Sequence, residues 1–290
     1  MFKPTEVELT FQGRVATITL HSEKQVNALS SPTADALLRA GEAVMRHRSV
    51  GVVVLTGAGD KAFIAGKDLN ENAGEGYRDE VTALHSITKT HMVCHLFRAL
   101  PVPSIARING YCLGAGMEVA ACCDLRVGAD HSRYGMPEVR IGSISHMEAN
   151  VFPRLMGWGA TRELLYRGTM IDAAEAHRLG FLNRVAPLAD LDAAMQPIIA
   201  DILAAEPNAI RAQKRLIESW LSDTGLEAGV QRGLDAKIAL QRLGHTVNWS
   251  QRYFAGLREK KKAPAVRGGK ATAPEARRNP NQKKWHPTIR

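Results

Sequence analysis

The segment Val50-Gly-Val-Val-Val-Leu-Thr56 is the feature that most constrains the fold. It is apolar over the length of a strand and is followed by Gly57-Ala-Gly59, with no alternation of apolar and polar residues. A strand with one face in water alternates, whereas a continuous run is typical of a strand buried on both faces of a parallel sheet. Parallel strands need crossover connections, which usually contain a helix. The run therefore predicts an α/β fold.

Other segments predict further strands and helices. Alternating or short apolar segments predict strands at 15–20, 103–109 and 125–129. Helical patterns lie at 32–47 and 81–100, the first with Pro32 at an early helical position. Residues 60–80 are rich in glycine, asparagine and charge and predict a loop.

The second half of the chain has a different pattern. From about residue 146 onward it is almost entirely helical, and a long amphipathic helix begins after Pro207. We expect a β/α core over 1–200, a C-terminal helical module over 201–257, and a flexible basic tail over 258–290.

The net charge of +9 belongs to that tail. Residues 258–290 contain 11 Lys and Arg against 2 Asp and Glu, while residues 1–257 contain 27 of each sign. Nothing in the body of the chain therefore calls for a nucleic-acid partner. A run of lysine and arginine is most often a solvated extension.

Cysteine usage and hydropathy bear on the compartment. Cys94, Cys112, Cys122 and Cys123 show no CxxC spacing, and two of them are adjacent. No run of about 18 apolar residues predicts a membrane-spanning helix, and the first residues lack the apolar core of a secretion signal. We expect a reduced, cytoplasmic protein that does not bind a membrane.

Two glycine-containing turns are candidates for chemistry, at 62–69 and 109–118. The second runs from a strand through a glycine-rich turn into a helix, where free backbone N–H groups favour negative charge. Two such turns that converge would form an oxyanion hole. The alternative is that the glycines only permit close packing of strand and helix. The spacing does not give GxGxxG, and no P-loop lysine follows.

Two glutamates follow the second turn. Glu118 lies in the first turn of the predicted helix, and Glu138 lies twenty residues later. A carboxylate and a carboxylic acid held in different surroundings form an acid–base pair. The alternative for Glu118 is a structural partner of the helix dipole.

Other candidates have weaker patterns. His91 and His95 have the spacing of metal ligands on a helix, but HExxH is absent and no third ligand is evident. We expect one or both at a subunit contact or facing solvent. Cys112 lies beside the glycine turn, and without an adjacent base we expect it to serve packing.

The ordered motifs resemble those of the enoyl-CoA hydratase/isomerase (crotonase) superfamily, over about residues 5–255. They are Ala62-Phe-x-Ala-Gly-x-Asp-Leu69, Asn109-Gly-Tyr-x-x-Gly-x-Gly-x-Glu118, Cys123-Asp-Leu125 and Gly135-x-Pro-Glu138. The resemblance implies a crotonase-like ββα-superhelix core with a C-terminal helical trimerisation module. It also implies homotrimers, often paired into hexamers, and neither a metal nor a separate cofactor, because coenzyme A is part of the substrate.

The resemblance assigns roles residue by residue. The backbone N–H groups of Lys67 and Ala115 would hold the thioester oxygen, and Glu118 and Glu138 would be the catalytic glutamates. Further positions match segments that bind the acyl-CoA: Lys24, Val26, Ala65, Lys67, Asp68, Leu69, Asn70 and Gly114.

The sequence departs from the family after Glu138. Most hydratases have a glycine-rich segment there, whereas this chain has Ser145, His146 and Glu148. These side chains would border the acyl pocket, where Glu148 could be a third acid–base group. The favoured alternative is that Ser145 caps the next helix and Glu148 completes a capping box. The role of His146 stays open.

The predicted function is that of an enoyl-CoA hydratase, adding water across the 2,3 double bond of a 2-enoyl-CoA thioester. Related reactions on the same scaffold stay open: double-bond isomerisation, lyase chemistry and thioester hydrolysis. Some members of the superfamily are associated with RNA, so RNA binding by the tail is a further alternative. The tail could instead reach the 3′-phosphate of a neighbouring subunit's coenzyme A.

Overall fold

The computed structural model describes residues 6–22, 26–68, 71, 79–222, 225–242 and 255. The chain divides into two compact units, Met1–Thr246 and Val247–Arg290. Only Ala255 of the second unit is described, so the described strands and long helices all belong to the first unit. The basic tail lies outside the described residues, and the expected boundaries at 200 and 257 stay predictions.

The described part of the chain contains strands in two sheets and helices around them. The strands are β1 (Glu6–Gln12), β2 (Val15–His21), β3 (Val52–Gly57), β4 (Ala62–Ile64), β5 (Ser104–Ile108), β6 (Tyr111–Leu113), β7 (Leu125–Ala129), β8 (Arg133–Gly135), β9 (Met170–Asp172) and β10 (Arg184–Ala186). The helices are α1 (Ser31–Arg46), α2 (Glu80–Ala99), α3 (Ala115–Cys122), α4 (Phe152–Arg167), α5 (Ala173–Arg178), α6 (Leu191–Ala204), α7 (Pro207–Ser222) and α8 (Leu226–Arg242). Short 3-10 helices span Glu138–Ile141, Glu148–Val151 and Leu188–Asp190.

The two sheets are built by a chain that alternates between them. The larger sheet has the order β1-β2-β3-β5-β7-β10, and the smaller has the order β4-β6-β8-β9. Pairing is parallel except for β1 with β2 and β8 with β9. Each strand pair β3–β4, β5–β6 and β7–β8 therefore places one strand in each sheet. Helices α2 and α3 follow the first two pairs, which confirms the expected ββα superhelix.

The run that predicted a parallel sheet is buried along its whole length. Val53 and Leu55 of β3 belong to the main core, which lies between the sheets and the helices. Val52 and Val54 face the other way and pack in a second core that includes Leu191 of α6. Because both faces are covered, every position of the segment is buried, Thr56 included, which explains its lack of alternation.

The three-residue strands were not predicted. Residues 60–80 were expected to form a loop, but β4 lies at their start. The region after 146 was expected to be almost entirely helical, but it contributes β9 and β10. Three residues are too few to show a period of two, and these strands exist because neighbouring strands pair with them.

Two buried asparagines hold the turn between β3 and β4. Asn109 Nδ2 lies 2.9 Å from the carbonyl oxygen of Gly57 and 2.7 Å from that of Gly59. Asn27 Nδ2 donates to the carbonyl oxygen of Ala62 at 2.7 Å. These contacts satisfy backbone groups that the turn would otherwise leave buried without partners.

Two buried cations tie later elements to the core. Arg126 of β7 donates to the carbonyl oxygens of Cys123 at 2.7 Å and Phe181 at 2.6 Å, so it binds the end of α3 where the helix dipole is negative. Lys214 of α7 is 4% exposed, and its Nζ lies 2.7 Å from the Asp124 carboxylate.

Among the described helices, none is long and apolar enough to span a bilayer.

The close contact between α3 and β4 gives a test of the fold. A Cβ on Gly116 would collide with the backbone carbonyl of Ile64, whereas a Cβ on Gly159 of α4 would meet open space. We expect Gly116→Ala to lower the free energy of unfolding by at least about 2 kcal/mol, because a backbone group must move. Gly159→Ala should be neutral or stabilising by up to about 1 kcal/mol. Urea unfolding measures both, and equal stability of the two variants would contradict the packing described.

Candidate active site

The predicted catalytic positions line one cavity of about 180 Å³. Its walls come from the β4 turn, the start of α3 and the segment 137–147. The lining residues are Ala65, Gly66, Lys67, Gly114, Ala115, Glu118, Pro137, Glu138, Ile141, Ser143, Ile144, Ser145, His146 and Met147. The structure thus brings together both glutamates and both residues whose amides were expected to bind the thioester oxygen.

The two glycine turns meet at this cavity. Gly66 has φ +106° and Gly114 has φ +51°, conformations that favour glycine. A Cβ on Gly114 would lie 3.8 Å from Gly66 Cα and 2.7 Å from Oε1 of Glu138. A side chain at position 114 would therefore enter the space between the two turns and the Glu138 carboxyl group.

The hydrogen bonds around Lys67 and Ala115 indicate the directions of their backbone amides. The Gly66 carbonyl accepts from the Leu29 amide at 2.8 Å, and the Asp68 amide donates to the Leu29 carbonyl at 3.2 Å. The carbonyl and the N–H of one trans peptide group point in opposite directions, so the Lys67 amide faces away from Leu29. The amide of Ala115 is the first of α3 and has no acceptor within the helix. Its position at the positive end of the helix dipole suits an anionic oxygen.

The simpler interpretation of the glycines is correct at two other positions. A Cβ on Gly110 or Gly116 would collide with a backbone carbonyl, that of Lys61 or that of Ile64. These two glycines permit close packing, while Gly66 and Gly114 border the cavity. The 109–118 motif therefore serves both purposes.

Glu118 is almost fully buried, with 2% of its surface exposed. Its Oε1 accepts from the Ala149 amide at 3.2 Å. Burial raises the pKa of Glu118 from 4.5 to about 8, and the charges of Glu138 and Glu148 add to the rise. At neutral pH this carboxyl group therefore holds a proton, so the alternative that it is only a helix-dipole partner does not account for its surroundings.

Glu138 has a more polar environment. It lies half-buried at the start of the 3-10 helix Glu138–Ile141. The Ser145 hydroxyl donates to its Oε2 at 3.0 Å, and the Ser143 amide donates to its backbone carbonyl at 2.9 Å. One buried, protonated carboxyl group and one more accessible carboxyl group thus face the same cavity, the arrangement that acid–base catalysis uses.

Lys67 contributes its side chain as well as its backbone to the site. Nζ donates to the Ser86 hydroxyl of α2 at 2.6 Å. Burial lowers the pKa of Lys67, and the charge of Glu71 opposes that change. The Lys67 side chain therefore links the turn after β4 to α2.

The remaining expected binding residues are distributed differently. Ala65 and Gly114 line the cavity, but Asp68 does not. Val26 lines a separate cavity of about 210 Å³ together with 58–62, and its carbonyl accepts from the Ala65 amide at 3.3 Å. Three expected positions lie outside the described residues: Lys24, Leu69 and Asn70.

The favoured capping-box interpretation is wrong. The Ser145 hydroxyl binds Glu138, and no side chain caps the 3-10 helix Glu148–Val151 or α4. His146 lines the cavity, with Nδ1 2.9 Å from the carbonyl oxygen of Ile144. Glu148 is buried and pairs with Nδ1 of His91 at 2.6 Å, so it does not border the cavity as expected.

Two weaker candidates also have clear places. Cys112 is buried, and its thiol lies 3.5 Å from the Gly116 carbonyl oxygen, which agrees with a packing role. In the part of the chain that the structure describes, no three His, Cys, Asp or Glu side chains are grouped to hold a metal ion.

The sequence did not predict the apolar wall of the cavity, Ile141 and Ile144, because neither residue belongs to a motif.

Comparisons with known proteins agree with this architecture. The sequence profile of the family described as enoyl-CoA hydratase/isomerase matches residues 10–246. The crotonyl-CoA hydratase of Syntrophomonas wolfei is 31% identical over 233 residues, covering 79% of this chain and 84% of the relative. The putative enoyl-CoA hydratase/isomerase YngF of Bacillus subtilis is 35% identical over 221 residues, covering 76% and 82%.

A solved structure shares the fold over most of its length. The crystal structure of the enoyl-CoA hydratase from Bacillus anthracis superposes with a TM-score of 0.79 at 30% identity, covering 85% of this chain and 96% of that one. The profile match spans well over half of the chain, and its ordered motifs build one cavity. The protein belongs to the enoyl-CoA hydratase/isomerase family of the crotonase superfamily.

Proposed function

We propose that the protein is an enoyl-CoA hydratase, which adds water across the 2,3 double bond of a 2-enoyl-CoA thioester. The observation that carries the proposal is the single cavity lined by Lys67, Ala115, Glu118 and Glu138. The relatives named as hydratases support the same reaction class.

The two turns supply the electrophilic part of the mechanism. The amides of Lys67 and Ala115 would bind the thioester oxygen, and this polarises the conjugated double bond so that Cβ accepts a nucleophile. The enolate that forms concentrates its charge on that oxygen, next to the N-terminus of α3. Donors fixed in place before the reaction stabilise this charge more than that of the substrate.

The two glutamates supply the proton transfers. The pair starts with one proton, on Glu118, and gains a second when water gives up a proton as its oxygen bonds to Cβ. The pair then delivers one proton to Cα, so its proton count returns to the starting value. The addition is redox-neutral and needs neither an oxidant nor a reductant. Coenzyme A enters as part of the substrate.

The family's other reactions are distinguished by their products. An isomerase moves the double bond, a lyase cleaves a C–C or C–O bond, and a thioesterase releases free coenzyme A. Incubation with a panel of acyl-CoA thioesters, followed by mass spectrometry, separates a gain of one water from each of these outcomes. We also propose a homotrimer or a hexamer, which sedimentation analysis tests.

Replacing the glutamates tests the proposed chemistry. We expect Glu118→Gln or Glu138→Gln to lower kcat by about 10²–10⁴-fold, because each loses a group that exchanges protons. The assay follows the absorbance of the conjugated enoyl thioester. Glu42→Gln is the matched control, because Glu42 is exposed on α1 and pairs only with Arg46 among the described residues. Loss of activity in only one of the two site variants would favour isomerase or lyase chemistry.

The buried carboxyl group also predicts a pH dependence of activity. Above a pH of about 8, Glu118 loses its proton and the cavity holds two negative carboxylates. We expect kcat/KM to fall roughly tenfold per pH unit beyond that value. A profile that stays level for a further pH unit would show that the proton on Glu118 is not required.

The same group predicts a pH dependence of stability. The pKa of Glu118 rises from 4.5 to about 8 on folding, so the stability that its protonation contributes is fully present below pH 4.5 and is lost as pH rises toward 8. We expect Glu118→Gln to raise the free energy of unfolding by roughly 1.4 kcal/mol for each pH unit above 4.5 within this window. Urea unfolding at several pH values measures the gain. Glu42→Gln should show none, and a destabilised Glu118→Gln variant would contradict the cost of burial.

A further inference from the structure

A second buried carboxyl group lies behind Glu118. The Glu148 side chain is 4% exposed, and its Oε1 lies 2.6 Å from Nδ1 of His91. Two lone pairs at this distance repel, so one proton lies between the two atoms. Its other oxygen, Oε2, is buried without a hydrogen-bond partner among the described residues. A buried carboxyl oxygen left in this state is costly, which calls for a functional explanation.

Glu148 is structurally connected to Glu118. The residue after it, Ala149, donates the backbone hydrogen bond that Glu118 Oε1 accepts at 3.2 Å. The His91 side chain is 55% exposed on α2, so the pair links this buried turn to solvent. The turn that holds one carboxyl group therefore carries a second one, which an imidazole connects to solvent.

Among the described residues, His91 is the basic side chain in direct contact with Glu148. Arg98 also interacts with the Glu148 charge. Arg98 of α2 donates to Glu218 of α7 at 3.0 Å. A hydrogen bond that the Cys94 thiol donates to Cys122, together with burial, holds the pKa of Cys94 well above its usual range, so that thiol stays neutral. In the described part of the chain, His91, Cys94, Arg98 and Glu118 interact with Glu148. Glu138 interacts with Glu118, and Cys122 interacts with Cys94 and Arg98.

We propose that His91 and Glu148 form a positioning pair for Glu118, which holds its carboxyl group in place and controls its proton occupancy. Glu148 does so by placing a negative charge behind Glu118, and His91 by partly neutralising that charge. The catalytic importance of the pair rests on the proposed hydratase function, whereas its effect on the proton of Glu118 does not.

Opposite effects of two substitutions test the pair. Glu148→Gln keeps the shape but removes the charge, so Glu118 should take up its proton about 1 pH unit lower or more. His91→Leu removes the donor that stabilises the carboxylates, so the first proton taken up by Glu118 and Glu148 together should bind at higher pH. His95→Leu is the matched control, because His95 is exposed on α2 and its ring centroid lies 6.3 Å from that of His91.

Infrared spectroscopy of the free protein provides the readout. The band of the protonated buried carboxyl group is followed against pH and assigned by its loss in Glu118→Gln. A shift down in Glu148→Gln, a shift up in His91→Leu and no shift in His95→Leu support the proposal. An unchanged titration in either of the first two variants overturns it, and so does a shift in the control. His91 is half exposed, so His91→Leu keeps the test available if Glu148→Gln fails to fold.

Activity then separates this inference from the proposed function. If the protein is a hydratase, the alkaline limb of kcat/KM moves by the same amount and in the same direction as the infrared titration in each variant. Shifts in the infrared titration without any hydration of enoyl-CoA thioesters would support the pair and reject the hydratase. Hydration with unshifted titrations would do the reverse.

Discussion

The close approach of two backbone turns, at Gly66 and Gly114, is the constraint on which the rest of the site depends. Each turn ends a short strand of the smaller sheet, and β4 and β6 pair in parallel. Pairing fixes the distance between the turns, and positive φ angles direct their peptide groups toward a shared space. Gly116 then lets α3 start directly against β4. A side chain at Gly114 would meet Oε1 of Glu138, and one at Gly116 would collide with the Ile64 carbonyl, so the close approach of the turns depends on these glycines.

Helix α3 contains both Ala115, whose amide begins the helix, and Glu118, whose carboxyl group is protonated at neutral pH. Glu118 follows Ala115 by three residues, so it lies one turn along α3 and faces the same cavity. The helix start that favours an anionic ligand is buried, and burial without a cation at hand keeps this carboxyl group protonated. The fold therefore gives up stability at neutral pH in order to hold a proton in this cavity. Such a cost is common at catalytic sites, where a buried ionisable group is kept for its chemistry.

The sequence was sufficient to predict the longer elements and the two turns and two glutamates of the cavity, for identifiable reasons. The 50–56 run had the composition of a doubly buried strand, and the motifs around 66 and 114 gave both turns. It could not predict β4, β6, β8, β9 and β10, because three residues exist as strands only through their partners. Nor could it predict Asn109 as a clamp on the 57–62 turn, since an asparagine beside a glycine has the same local signature in any exposed turn.

The failure at Glu148 has a more specific cause. Spacing alone made Ser145 and Glu148 a good capping box, because that pattern depends on residues three apart. The actual partner of Glu148, His91, is 57 residues away, on a helix that looked like a metal-ligand candidate only because of His95. The local explanation of Glu148 was wrong, whereas His91, which was expected at a subunit contact or facing solvent, has a side chain that is 55% exposed. Where most hydratases have a glycine-rich segment, this chain has Glu148, whose partner is distant in sequence. That distant partner, and not the local spacing of residues, determines the structural role of Glu148. In this protein that partner is His91, a half-exposed imidazole that contacts the buried Glu148, and a glycine-rich segment cannot make such a contact.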